Sequence, residues 1–168
     1  VDGIANLHVD QLWVAAGVEQ HRGAGVAHWP MLNGALVGDR KATMRAIQIA
    51  RLDGPQAAQV VEIDEPSGDG DVLIDVHAAG VAFPDALQSR GLYQYKPEMP
   101  YTPGAEVAGV VRSAPDGAHV TAGDRVAGLT MLCGAMAQVV AVHPDRVFKL
   151  PDTVSFEAGA GLLFNDLT

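Results

Sequence analysis

The residues able to do chemistry are few and far apart in this chain. Tyr93, Tyr95 and Tyr101 fall in one short stretch. A phenol has a pKa near 10 and stays protonated at neutral pH, so it can donate to a developing oxyanion. Asp85 follows Phe83 and Pro84 and reads as a cap or orienting group for a short helix. Glu106 stands alone among apolar residues. His77, His119 and His143 lie between strands and turns without the spacing that metal ligation needs, so they read as surface or strand histidines. Cys133, the single cysteine, has no His or Asp beside it in sequence and reads as a small packing residue. Gly159-Ala-Gly161 is the one Gly-rich candidate for a phosphate cradle. It has no third Gly or Ala at the required place and follows no strand, so it reads as close packing of small residues in a helix.

The elements that must position these residues are mostly strands. Met44 to Ala50 alternates apolar and polar residues with period two. Further strands are expected at Gln59–Ile63, Asp71–Ala79, Val107–Arg112, Arg125–Leu129, Met136–Val142 and Arg146–Leu150. Val72, Ile74 and Val76 mark one face of the third, and Leu73 the other. Turn residues recur at short intervals, which indicates a small β-barrel or sandwich rather than a βαβ sheet. Two helical segments interrupt the pattern. Phe83–Arg90 has Pro84 in its first turn and Gly91 as a stop. The second starts at Ser155, a natural cap, has Glu157 in its first turn, and is expected to run through Ala158 to Leu163. Residues 1–43 show no sustained period and read as a poorly ordered or loosely docked extension, with Met44 opening the folded domain.

Composition narrows the class. The 168 residues are 48% hydrophobic and 18% charged, with a formal net charge of −9. That balance fits a globular chain and argues against a nucleic-acid partner, which would need clustered Lys and Arg. No stretch approaches the ~20 apolar residues that span a bilayer, so no membrane partner is expected. One thiol cannot form an internal disulfide, and no charged and apolar leader opens the chain, which points to a cytoplasmic protein.

Several segments resemble a known family. Ala78-Ala-Gly-Val-Ala-Phe-Pro-Asp85, Arg90-Gly-Leu-Tyr93, Pro100-Tyr-Thr-Pro-Gly-Ala-Glu-Val-Ala-Gly-Val-Val111, Gly123-Asp-Arg-Val126, Gly134-Ala-Met-Ala137 and Phe148-Lys-Leu-Pro-Asp-Thr-Val-Ser-Phe-Glu157 are similar to the zeta-crystallin-like quinone oxidoreductase branch of the medium-chain dehydrogenase/reductases. They keep that family's order from Met44 to Thr168; residues 1–43 take no part. The resemblance implies a GroES-like β-barrel over residues 44–155. It also implies a segment, 156–168, that begins the helix leading to a Rossmann domain missing from this chain. Zinc members carry a Cys and a His where this chain has Ala82 and Ala105, so no metal is expected. The resemblance makes Tyr93 the catalytic donor and puts Ala82, Phe83, Asn165 and Thr168 beside the cofactor, NADPH. Many quinone reductases have Asn in place of Ala82, which leaves enoyl or alkene reduction open beside quinone reduction. Without a cofactor domain, weak or absent NADPH binding and no turnover are expected of this chain alone. The alternatives are a non-catalytic GroES-like binding or association module, acting as a homo-oligomer or with a missing-domain partner, and one half of a split enzyme.

Overall fold

The computed structural model describes residues 42–164; the expectations for residues 1–41, and for Asn165 and Thr168, lie outside the described residues. Seven strands form in the order β1 Thr43–Ile49, β2 Ala58–Asp64, β3 Val72–Ala79, β4 Glu106–Ser113, β5 Arg125–Leu129, β6 Val139–Val142 and β7 Val147–Lys149. Two short helices join them, α1 Phe83–Gln88 and α2 Phe156–Gly159. No described helix is long and apolar enough to cross a membrane.

β1 and β2 make an antiparallel hairpin, with Ala46 opposite Val61. The other strands make a five-stranded antiparallel sheet in the order β6-β3-β4-β5-β7. β-Branched residues fill the space it encloses: Val72, Ile74, Val107, Val111, Val126, Val140, Val142 and Val147 are all buried. The period-two reading of β3 holds, with Val72 and Ile74 inside and Leu73 half-buried on the opposite face. Central β4 is buried along most of its length. Opposite it, β3 slips register between Val76 and Ala78. There Gly109 lies against the Asp75 carbonyl so closely that any side chain would collide with it, so only glycine fits.

Two elements differ from the sequence expectation. The strand expected over Met136–Val142 is split. Only Val139–Val142 pairs with β3, while the three residues before it turn to β1. Ile47 donates to the Met136 carbonyl at 2.8 Å and Gln138 to the Arg45 carbonyl at 3.0 Å, whereas Val76 donates to the Gln138 carbonyl at 2.9 Å. One run of chain thus serves both sheets, which closes the barrel. A second bridge pairs Ile49 with Tyr101.

The other difference is α2, which ends at Gly159 instead of reaching Leu163. Its start follows the sequence: the Ser155 hydroxyl accepts from the Ala158 amide at 3.2 Å. Its end is set by the barrel, because Glu106 takes the amides of Leu163 and Phe164 and pulls them out of helical register. Phe156 docks α2 against the sheet, stacked on His77 at 4.4 Å, with the Arg125 guanidinium 4.0 Å above its ring. Gly159 packs so tightly that an added Cβ would lie 2.8 Å from Leu150 and 3.2 Å from Ala108, which agrees with its reading as a packing residue.

Candidate functional site

Asp85 organises the face on which the sequence candidates converge. It is buried on the inner side of α1, with Pro84 in the same first turn. One carboxylate oxygen accepts from the Ala82 amide at 2.8 Å, and the Asp85 amide donates to the Ala82 carbonyl at 3.0 Å. This is the expected cap. The other oxygen accepts from the Gly104 amide at 2.9 Å, a bond spanning 19 residues. One side chain therefore clamps the start of α1 to the loop before β4 and draws Ala82 toward Gly104 and Ala105. Burial raises the Asp85 pKa above its ordinary 3.8; the two amides pull it down, and the negative charge of Glu106 adds to the rise.

Glu106 begins β4 and is 1% exposed. Its carboxylate accepts from Leu163 at 3.0 Å and from Phe164 at 2.9 Å. A Cβ on Gly80 would lie 2.6 Å from the Glu106 Cγ, so Gly80 leaves the room that side chain occupies.

Ala82 is half-buried at the cap of α1, and Phe83, the first helical residue, is 64% exposed. Tyr93 is half-buried in the loop after the helix. The histidines have the structural roles the sequence suggested: His77 stacks on Phe156, His119 bonds the Val147 carbonyl at 2.8 Å, and His143 accepts from the Asp145 amide. Among the described residues no three His, Cys, Asp or Glu side chains gather as a metal site would require.

Cys133, expected as a small packing residue, lies half-exposed in the loop between β5 and β6. That loop folds over the segment before β4: Thr130 donates to the Ala105 carbonyl at 2.8 Å, and Gly134 to the Thr102 carbonyl at 2.7 Å. The thiol comes within electrostatic reach of both Tyr95 and Tyr101. No local pattern announced this cluster, because its members belong to separate loops.

Two hollows flank the site. One, of roughly 50 Å³ under α1, is lined by Ile47, Ile49, Val81, Asp85, Pro103 and Met136. The other, of roughly 210 Å³, lies beside β1 and β3. Neither reaches the about 300 Å³ at which ligand pockets begin. At these two hollows the surface is an open wall rather than a ligand-sized pocket.

The fold and this wall belong to a recognisable class. Residues 68–152 match the family described as the alcohol dehydrogenase GroES-like domain. The chain is 38% identical over 125 residues to the quinone oxidoreductase of Sus scrofa, covering 71% of this chain and 37% of that protein. It is 35% identical over 123 residues to the quinone oxidoreductase of Homo sapiens, with the same coverage of 71% and 37%. Among solved structures, a probable oxidoreductase from Mycobacterium abscessus superposes with a TM-score of 0.72 at 39% identity, over 75% of this chain and 40% of that one. The quinone oxidoreductase of Thermus thermophilus, solved alone and with NADPH, gives a TM-score of 0.63 at 34% identity, over 74% and 38%.

The chain belongs to the alcohol dehydrogenase GroES-like domain family of the medium-chain dehydrogenase/reductases, as the resemblance implied. It spans somewhat more than a third of the length of the curated relatives it matches.

Proposed function

We propose that this domain is the substrate side of an NADPH-dependent, zinc-independent oxidoreductase of the quinone or enoyl reductase type, silent without a nucleotide-binding partner domain. The observation that carries the reading is the Asp85 clamp, which draws together Ala82 and the Gly104-Ala105 turn with a methyl group at both alanines. Methyl groups give a metal no donor. A substrate carbonyl must then be polarised by hydrogen bonds. In this reading the Tyr93 phenol donates to the developing enolate, and the exposed Phe83 ring gives an apolar face to the nicotinamide or the substrate.

Ala82, Phe83, Asn165 and Thr168 are the cofactor-facing positions. The described residues suit the nicotinamide end of the cofactor. They do not suit its pyrophosphate, since Gly159 is packed against Leu150 and Ala108 and cannot cradle an anion. Bound NADPH would supply the hydride. Residues 44–155 form the GroES-like unit, 156–168 lead toward the partner domain, and the compartment is the cytosol.

A fluorescence titration with NADPH tests the division of labour. We expect no binding in the micromolar range by this chain alone, and saturation in that range overturns the reading. Joined to the nucleotide-binding domain of the pig relative, the chain should oxidise NADPH with a quinone. There Tyr93→Phe should lower kcat by about 10²-fold; an unchanged kcat removes Tyr93 from the chemistry.

One observation favours a second reading, an association module: Phe83, Leu92, Tyr95, Met99 and Met131 are all exposed. Light scattering behind a sizing column separates the two, and a clean monomer counts against association.

A further inference from the structure

The Gly104 peptide is held from both sides. Its N–H donates to Asp85 at 2.9 Å, and its carbonyl accepts from the Thr130 hydroxyl at 3.0 Å and from the Ala135 amide at 3.2 Å. Gly104 has a φ of 95°, and an added Cβ would lie 2.8 Å from that of Ala135, so the turn has no room to shift toward the β5–β6 loop. Around it, Thr130 donates its amide to Ala105 at 2.8 Å, Gly134 to Thr102 at 2.7 Å and Met136 to Pro103 at 3.0 Å. Four consecutive carbonyls, Thr102 to Ala105, therefore each carry a bond from residues 130–136. The residue before them is anchored elsewhere: Tyr101, 5% exposed, exchanges backbone bonds of 3.1 and 2.8 Å with Ile49. Its hydroxyl has no hydrogen-bond partner among the described residues, so main-chain bonds and packing alone fix it. Between Thr130 and Gly134 the backbone is strained. Met131 and Leu132 take left-handed angles, with φ of 58° and 74°. Neither side chain favours that region, and two such residues in succession persist only while the flanking bonds hold them. Met131 is 59% exposed, so little packing offsets the strain there.

We propose that Thr130–Gly134 is a spring-loaded strap over the Thr102–Ala105 turn, latched by the chain of hydrogen bonds that runs from Asp85 through Gly104 to Thr130. In the latched form the bonds at Thr130 and Gly134 keep Met131 and Leu132 left-handed. In the released form those two residues return to ordinary backbone angles, and the Thr102 and Ala105 carbonyls lose their donors beside the candidate site. Asp85 also holds the Ala82 amide, so the start of α1 and the strap are two ends of one latch. A change at either end shifts the equilibrium of the strap, and the coupling acts in both directions. Such a strap admits or shuts out a ligand at the Ala82–Ala105 wall without any movement of the valine-rich core.

Amide hydrogen exchange, read residue by residue on the whole 168-residue chain, tests this. No nicotinamide or substrate is present, so the outcome is independent of the oxidoreductase reading. Asp85→Asn should speed exchange of the Thr130 and Gly134 amides about tenfold, while those of Val111 and Leu150, bonded to the Asp124 and Arg125 carbonyls, change by less than about twofold. Thr130→Val, which removes the hydroxyl and keeps the backbone amide, should speed the Gly104 and Ala82 amides several-fold. Met131→Asn should slow the Gly134 amide several-fold, because Asn adopts left-handed angles more readily and the exposed Met131 side chain takes little packing with it. Unchanged Thr130 and Gly134 amides in Asp85→Asn, a uniform acceleration that includes Val111 and Leu150, or a Gly134 amide no slower in Met131→Asn overturns the proposal. Should Asp85→Asn fail to fold, the other two variants decide, and Gly104 and Ala82 amides unmoved by Thr130→Val overturn it.

Discussion

Two buried carboxylates, close enough for the charge of one to act on the other, do similar work in different parts of the chain. Asp85 takes the amides of Ala82 and Gly104, and Glu106 takes those of Leu163 and Phe164. Asp85 acts over 3 and 19 residues, on the side where the candidate site opens. Glu106 acts over 57 and 58, on the side where the chain leaves the barrel. The first sits on a helix of six residues, the second on the most deeply buried strand. Both acidic residues serve here as fasteners for backbone that no regular element would hold.

The comparison can be broken in several ways. The largest effect should come from Glu106→Ala, which orphans two amides next to a fully buried position and should cost about 3 kcal/mol in urea unfolding. A cost under about 1 kcal/mol would show that water replaces the carboxylate. Asp85→Ala should cost less, about 2 kcal/mol, because one of its two bonds is a local helix cap. Equal costs would show that the long-range bond to Gly104 outweighs the local cap at Asp85.

Tyr101→Phe should have a smaller effect of opposite sign. Removing a buried hydroxyl without a partner should raise stability by about 1 kcal/mol, and thermal unfolding would detect this. A loss of stability would mean that the hydroxyl is already satisfied.

The subtlest effect is on pH dependence. Asp85 binds its proton more tightly folded than unfolded, so its contribution to stability is full below the ordinary 3.8 and is lost as pH rises through the raised folded value. Asp124 has the opposite sign. Its hydrogen bond from Lys149, then the Thr121 amide, lower its pKa, so its contribution is present above 3.8 and lost as pH falls through the lowered value. Melting temperatures of Asp85→Asn and Asp124→Asn against wild type across that range should therefore diverge in opposite directions, and parallel curves would refute the assignment.

Much of the barrel was legible in the sequence, because period-two alternation in β1 and β3 records directly which side faces inward. The start of α2 was legible too, since Ser155 and the amide it caps are three residues apart. Its end was not. Leu163 continues the apolar pattern, and the carboxylate that turns it away lies 57 residues earlier. The split of the Met136–Val142 strand escaped for the same reason, because each half of an unbroken apolar run has a different partner. At the site, the cap made by Asp85 could be read locally, whereas its bond to Gly104 and the approach of Cys133 to Tyr101 required the fold.

Gln138 shows how few backbone bonds join the β1–β2 hairpin to the sheet beside its buried side chains. Its side-chain oxygen accepts from the Arg45 amide at 2.8 Å, its own amide serves Arg45, and its carbonyl serves Val76. With the links at Ile47 and Ile49, this residue carries the backbone attachment between hairpin and sheet. The hairpin should therefore detach as a single unit before the remainder melts, its amides exchanging with deuterium at one common rate, and a substitution at Gln138 should hasten that opening while the valine-rich interior stays protected.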